Sequence, residues 1–585
     1  MLKVGNKNQK IIHENVLKRQ PIIYKSLLKD SDQPLPTDIT SYEMMFKQNK
    51  NKINLKAPMF IDADNDRNFI SYGQLKQDIL LIATGLKKEF NLQHGDVVAL
   101  CCPNTIHFPS IFHGTVCAGG IIAAIPHITS NFRAQDIIDD LETIKPKVVV
   151  LHPMFLDEVL PLLPSVGVPE SHVLLVGEED ECEKASTPSI RTIKKLFLSC
   201  RPGFADLEKL EKEACYCYTE NDIMHAPSYL FFTSGSTGKR KAVMITQYAV
   251  VSVLINRPVD PSNEAIKILA CNKLFHVSSL ILALHLSIYN GDEVYVINKF
   301  SLEDLCIAIE KYKINSMMAL FYNISEMCGK SVADKYDLSS LIVVYNIGTK
   351  LHHSAIQKLK DRHGLSVIDT YGLTETLIMF QNNMEYTRKG GAGVLARGYE
   401  ARLTDEEGVD VPRGEIGQLC IKGPTVCLGY YNDPAATAST FDSEGYIMTG
   451  DLLRCDEQGV FHYIDRYKDM IRYYENSIFP TSIESVLLKH PMILECAVVG
   501  IKVPAKNIEI PKAYIRLIET QILNETEQEQ LKEEVIKYID DKLPNEMNLR
   551  GGVTIVDSFP RTYSGKIRRF TLKVEANQME LVSKK

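Results

Sequence analysis

Tyr229-Leu-Phe-Phe-Thr-Ser-Gly-Ser-Thr-Gly-Lys-Arg-Lys241 is the stretch on which the reading of this chain turns. A β-prone apolar run hands over to a loop of small residues. Thr233, Ser234, Gly235, Ser236, Thr237 and Gly238 carry little side-chain bulk, so backbone N–H groups can converge on phosphate oxygens. The hydroxyls add donors, and Lys239 and Lys241 add positive charge. The G-x4-G-K-[ST] pattern of P-loop nucleotidases is not met, because no Ser or Thr follows a Gly-Lys pair at that spacing. Taken alone, the segment is also compatible with a flexible surface loop rich in Ser, Thr and Gly.

Outward from this loop, short apolar strands alternate with helices. Residues 72–91, YGQLKQDILLIATGLKKEFN, place apolar side chains at helical spacing and run into the short strand of GDVVALCCPN, ended by Pro103 and Asn104. A helix around 134–144 precedes the strand KVVVLHP. Further strands are predicted at Ser228–Thr233, Ile266–Ala270, Asp292–Ile297, Ser316–Leu320 and Ser339–Asn346. This alternation predicts an α/β chain with parallel sheets.

From about residue 395 the texture shifts to short strands joined by turns bearing Gly and Asp, as in GEIGQLCIKG and GYIMTGDLLRCDEQGVFHYIDR. The predicted organisation is a loose N-terminal arm (1–40) and a large domain (41–467) of two α/β-type subdomains plus a β-rich subdomain (about 395–467). A small α+β C-terminal domain (468–585) follows.

Composition narrows the function. The chain has 585 residues, 45% hydrophobic and 24% charged, as in ordinary soluble proteins of several domains. A net charge of -7 lacks the basic footprint of a nucleic-acid partner, yet allows an anionic nucleotide at a few basic residues. Fourteen cysteines at irregular spacing give neither a disulfide framework nor a zinc pattern. Cys101-Cys102 and Cys215/Cys217 lack the C-x2-C geometry, so reduced thiols and a cytoplasmic location are expected. No run of about 18 apolar residues predicts a transmembrane helix. The opening MLKVGNKNQK lacks the apolar core of a secretory signal, and the closing Leu-Val-Ser-Lys-Lys is not a peroxisomal address.

TSGSTGKRKAVMIT resembles the phosphate loop of adenylate-forming enzymes: acyl- and aryl-CoA synthetases, peptide-synthetase adenylation domains and firefly-type luciferases. Arg240 and Ala242 replace that family's usual Pro and Gly, and Gln247 stands where a His is common. Other segments match in the family's order. Phe275-His276 resembles P-x-F-H, and Asn346-Ile-Gly-Thr-Lys-Leu351 occupies the place of S-G-G-A-P-L, keeping Gly348. Tyr371-Gly-Leu-Thr-Glu-Thr376 matches Y-G-x-T-E in full. Thr449-Gly450-Asp451 matches T-G-D, Asp465-Arg466 follows, and Pro560-Arg-Thr-Tyr-Ser-Gly-Lys566 matches P-R-T-x-S-G-K. The similarity runs from about Lys50 to Lys573 and is greatest to 4-coumarate-CoA ligase-like and luciferase-like members.

The resemblance implies ATP-dependent activation of an aryl or fatty carboxylic acid through an acyl-adenylate, with CoA as the expected acceptor and a carrier-protein thiol as the alternative. A relative that binds nucleotide without turnover is a further alternative. Roles follow residue by residue. Tyr371 and Gly372 with Gly348 and Thr349 would flank adenine. Thr374 would bond the α-phosphate, and Glu375 would hold Mg2+, a cation that takes oxygen ligands. Asp451 and Arg466 would take the ribose, and His276 would border the acyl site. Lys566 would bridge carboxylate and α-phosphate, and Lys468 would form a hinge. Glu475 stands at the family's usual Gly beside the thiol tunnel, and Arg472 replaces a Lys.

Overall fold

The computed structural model describes residues 21–28, 34–49, 53–127, 133–185, 187, 190–200, 207–233, 240–256, 266–328, 332–351, 353–518, 523–562 and 565–583. Two seven-stranded sheets form its body. In the first, Val97–Cys101 lies between Ile121–Ala124 and Val148–Leu151 in parallel register, and Tyr229–Thr233 extends the sheet beside Ile121–Ala124. Lys241–Ile245 then returns antiparallel at the edge, with Lys241 opposite Thr233. The strand pattern around the Ser-Thr-Gly loop is therefore a hairpin that opens at the end of a parallel sheet. Helix Tyr72–Phe90 covers this sheet, started by the Ser71 side chain, which accepts from Gln74 N, and ended by Asn91 in the left-handed conformation.

In the second sheet Lys267–Ala270, Glu293–Val296, Ser316–Leu320, Val343–Ile347 and Ser366–Thr370 pair in parallel. Every strand expected from the sequence is present, but that of Ser339–Asn346 begins later, at Val343. Asp337 Oδ1 accepts from Ser339 N at 3.0 Å, and this local side-chain turn competes with extension.

Residues 400–466, within the stretch read as β-rich, form an antiparallel sheet from Glu400–Thr404, Ile416–Lys422, Ile447–Cys455 and Phe461–Arg466. Its fifth strand comes from the stretch read as a loose arm. Tyr24–Lys25 pairs with Glu400–Ala401, Ile22 N donates to Asp410 Oδ2 at 2.7 Å, and Tyr24 is buried against Phe461. Residues 21–28 are thus docked, because an open sheet edge accepted them. Beyond the turn Tyr467–Asp469 come the hairpin Ile471–Tyr473/Asn476–Ile478 and a three-stranded sheet, Ile493–Val503, Ile508–Leu517 and Val553–Ile555, flanked by helices Pro480–Leu487, Glu525–Asp540 and Arg569–Ser583. No helix among the described residues is long and apolar enough to cross a membrane.

Candidate active site

The ends of the two large sheets, the five-stranded sheet and the C-terminal module meet around a cleft of about 1490 Å³. Its floor is made by the segment following the last strand of the second sheet. Gly372 and Leu373 pair with Ile378 and Leu377, so Thr374, Glu375 and Thr376 form the tip of a small hairpin. A Cβ at Gly372 would sit 2.3 Å from Leu377 O, so only Gly fits there. The tip is pinned from behind: Cys427 N donates to Glu375 O at 2.8 Å, and Tyr430 OH donates to Glu375 Oε1 at 2.8 Å. Tyr430, absent from the sequence reading, also carries Lys241 Nζ 4.7 Å from its ring centroid.

Tyr371 OH donates to Asp451 Oδ2 at 2.7 Å. Asp451 and Arg466 are cross-strand partners in the five-stranded sheet, with Arg466 Nε 2.6 Å from Asp451 Oδ1. Burial raises the Asp451 pKa, and Arg466 opposes that rise. Tyr463 lies beside Tyr371, with ring centroids 6.1 Å apart. Across the cleft, Gly348 has φ of +88°, and Asn346 Nδ2 donates to Thr349 O at 2.7 Å. Lys350, in place of the expected Pro, donates from Nζ to Tyr463 O at 2.7 Å.

His276 caps the helix Val277–Ile281. Ser278 N donates to its Nδ1 at 3.3 Å, which leaves the proton on Nε2. Burial first, then the nearby Lys566 charge, push the imidazole down to about 4, so it is neutral at neutral pH.

Lys566 enters from the C-terminal module. Thr562 N donates to Lys566 O at 2.8 Å and closes a tight loop, and Arg561 anchors that loop through two bonds to the fully buried Glu495, at 2.8 and 2.7 Å. A Cβ on Gly348 would lie 3.3 Å from Lys566 Cε. Burial and Arg466 lower the Lys566 pKa to about 8, while Asp451 and Glu375 draw it up and Lys468 opposes them. The structure therefore brings Lys566, Gly348, Asp451, Arg466, Glu375 and His276 to one place, with Tyr371, Thr374, Thr349 and Lys468 on the same lining. Thr233 and Lys241 border it. Ser234, Gly235, Ser236, Thr237 and Gly238 lie outside the described residues.

Arg240, the altered loop exit, is not solvated. Its guanidinium reaches Asp140 in the helix Ala134–Ile144 at 3.0 and 2.9 Å and also donates to Pro126 O at 3.4 Å. Among the described residues no cluster of three His, Cys, Asp or Glu side chains forms a metal cage. Tyr430 bonds Oε1 of Glu375, and Thr374 precedes Glu375 in the hairpin tip; carboxylate and hydroxyl oxygens are the kind of ligand Mg2+ takes.

Two mainly parallel α/β sheets, each with an antiparallel edge strand, an antiparallel third sheet and a C-terminal module that sends one lysine into their common cleft define the adenylate-forming fold. The chain belongs to the AMP-binding enzyme family: that family's model matches residues 46–431, and the AMP-binding enzyme C-terminal domain matches residues 482–566. It is 27% identical over 502 residues to probable 4-coumarate--CoA ligase 1 of Dictyostelium discoideum, covering 84% of this chain and 88% of that one. It is 28% identical over 538 residues to phenylacetyl-CoA ligase epaB of Aspergillus niger, covering 89% and 94%. The crystal structure of the anthranilate CoA ligase AuaEII in complex with anthranoyl-AMP superposes with a TM-score of 0.80 at 22% identity, covering 95% of this chain and 100% of that one.

Proposed function

We propose that this chain joins a carboxylic acid with an apolar body, aryl or aliphatic, to AMP from ATP, releasing pyrophosphate, and then passes the acyl group to the thiol of CoA. The observation that carries the reading is the placement of Lys566 among Asp451, Glu375, Arg466 and Gly348. Asp451 and Arg466 would hold the ribose, whose hydroxyls a carboxylate can accept from in pairs. Gly348, Thr349, Tyr371 and Gly372 would enclose adenine. Thr233 to Gly238 and Lys241 would take the β- and γ-phosphates. Thr374 and Glu375 would hold Mg2+, which supplies charge neutralisation on the phosphates when bound.

One carboxylate oxygen would form the new bond to the α-phosphorus as the bond to the pyrophosphate oxygen breaks. Lys566 would hold both negative groups in line and offset the charge that builds on them. The acyl body would lie against Val277, Ile281, Leu282, Met318 and Leu320, all on the cleft lining, with neutral His276 at its neck. That aliphatic wall favours an uncharged tail, in line with the aryl and arylacetyl acids in the names of the relatives.

Transfer would follow rotation of residues 468–585 about Lys468, which lies in the single turn between the five-stranded sheet and the C-terminal hairpin. Such rotation must break Arg472–Glu406 at 2.8 Å and Arg516–Glu326 at 3.7 Å. The fourteen free thiols support a reducing, cytoplasmic setting.

A second reading, delivery to a carrier-protein thiol or another acceptor, is favoured by one feature. The hairpin tip carries the Glu475 carboxylate where Gly is usual, next to Tyr474 at a φ of +50°.

The test is pyrophosphate release from MgATP across aryl and fatty acids, with and without CoA, alongside Lys566→Ala. Acid-dependent release that is lost in the variant, followed by thioester formation, is the expected result. No release with any acid despite ATP binding would overturn it in favour of a binding-only relative. Release without thioester would move the acceptor away from CoA.

A further inference from the structure

Away from the cleft, two thiols that are 98 residues apart in sequence come together: Cys117 Sγ lies 3.2 Å from Cys215 Sγ. Their meeting is built by the backbone. Cys117 ends the helix Phe108–Cys117, and the segment after helix Leu207–Ala214 crosses that helix end as a strap. Tyr216 N donates to Cys117 O at 2.8 Å, Tyr218 OH donates to Val116 O at 2.7 Å, and Lys87 Nζ donates to Ala214 O at 2.6 Å. The Tyr216 ring lies against Gly119, where a Cβ would fall 2.8 Å from the ring. The two sulfur atoms are held together by five residues of strap rather than by chance contact of mobile side chains.

The pair is asymmetric. Cys117 is buried, whereas Cys215 is half-buried, and the ammonium groups of Lys47 and Lys87 act on Cys215. Burial and then Glu211 oppose them, and the Glu211 carboxylate is itself bound by Lys47 at 2.9 Å and Lys76 at 3.1 Å. The hydrogen bond between the two sulfurs, the largest cause on each, holds the Cys215 thiol below its usual pKa and, together with burial, holds Cys117 well above it.

We propose that Cys117 and Cys215 form a redox-active dithiol, a modification site for hydroperoxides, with Cys215 the attacking and Cys117 the resolving sulfur. The Cys215 thiolate attacks one peroxide oxygen, the O–O bond breaks, and the departing hydroxide takes up a proton to become water. The resulting sulfenic acid is attacked by the Cys117 sulfur. Its S–O bond breaks, the second water leaves with the Cys117 proton, and an S–S bond forms. Two thiols lose two electrons in total and the peroxide is reduced. The bond would fasten the helix end to the strap, and an external dithiol would reverse it. This inference does not depend on the identity of the acid or the acceptor.

The experiment treats the full chain with one equivalent of hydrogen peroxide, alkylates the remaining thiols after denaturation, and locates the link by tandem mass spectrometry. Fragmentation is needed because no Lys or Arg separates Cys101 and Cys102 from Cys117, or Cys215 from the exposed Cys217. The expected result is a Cys117–Cys215 link with a loss of about 2 Da, reversed by dithiothreitol. Cys215→Ser should abolish it, and Cys117→Ser should leave a dimedone-reactive sulfenic acid on Cys215. Cys217→Ser should leave the link unchanged. Oxidation of Cys217 while Cys117 and Cys215 both remain alkylatable, or a link between any other pair, would overturn the proposal.

Discussion

Tyr371 and Asp451 come from different sheets and meet in a hydrogen bond of 2.7 Å, which ties the end of the second parallel sheet to the third strand of Residues 400–466. The bond holds Asp451 Oδ2, and Arg466 Nε forms an ion pair with Oδ1 at 2.6 Å, so the carboxylate is held from two sides.

Removing that phenol tests the arrangement. Tyr371→Phe leaves Asp451 buried with Arg466 alone. Because hydrogen bonds to charged groups are worth about 1.5–3 kcal/mol, KM for ATP should rise roughly tenfold or more, with a smaller change in kcat. Steady-state pyrophosphate release at saturating acid measures both. An unchanged KM would remove Tyr371 from nucleotide binding.

The charge on Lys566 sets an alkaline limit. Burial and Arg466 push its pKa down to about 8, so the ammonium form prevails below that pH and is lost above it. The kcat/KM for pyrophosphate formation should therefore fall as pH rises through about 8. Lys566→Arg, charged throughout this range, should lack the alkaline limb at a lower absolute rate. Lys566→Ala should lower kcat/KM by roughly 10²–10³ while ATP binding persists. A wild-type profile flat to pH 10 would contradict the assignment.

The Arg240–Asp140 pair should report on stability as well as activity. Asp140 is 3% exposed, so Arg240→Ala leaves a buried carboxylate without its partner, at a cost of ~3 kcal/mol. Thermal melts should show Arg240→Ala less stable than the Arg240→Ala/Asp140→Ala double variant, because the second change removes the stranded charge. Equal melting of the two would mean that water replaces the guanidinium.

Glu475 separates the two acceptor readings. If CoA is the acceptor and the carboxylate hinders its thiol, Glu475→Gly should raise the thioester rate roughly fivefold, about 1 kcal/mol of barrier, and leave pyrophosphate release unchanged. An unaltered thioester rate would show that the hairpin tip does not meet the thiol.

The ion pairs across the two modules should be sensitive to salt. Arg472–Glu406 is exposed on both sides and worth less than about 1 kcal/mol. Glu406→Ala with Glu326→Ala should shift the ratio of adenylation to thioester rates by about two- to fivefold, and high salt should mimic it in wild type. No change in either would place the limiting step outside these contacts.

The sequence by itself determined the alternating α/β pattern, the strand that leads into the Ser-Thr-Gly loop and the β-rich texture from about residue 395. These are local signals: period-two and helical spacing, turn residues, and short motifs whose order survives. The return strand Lys241–Ile245 and the antiparallel pairing of Glu400 to Arg466 came from the tertiary structure, which alone decided which residues touch. Lys566 enters the cleft shared with Asp451 and Glu375 from a loop that Arg561 and the buried Glu495 anchor in the C-terminal module. Tyr24 joins a sheet edge formed 377 residues later, at Ala401, the longest reach of strand pairing among the described residues. Thr374 sits in a hairpin tip because Gly372 meets Leu377 O across two residues of β-pairing, and Cys117 finds Cys215 through a strap no spacing announces. Contacts of this kind depend on sheet order and on how layers stack, and neither is written in the neighbourhood of any one residue.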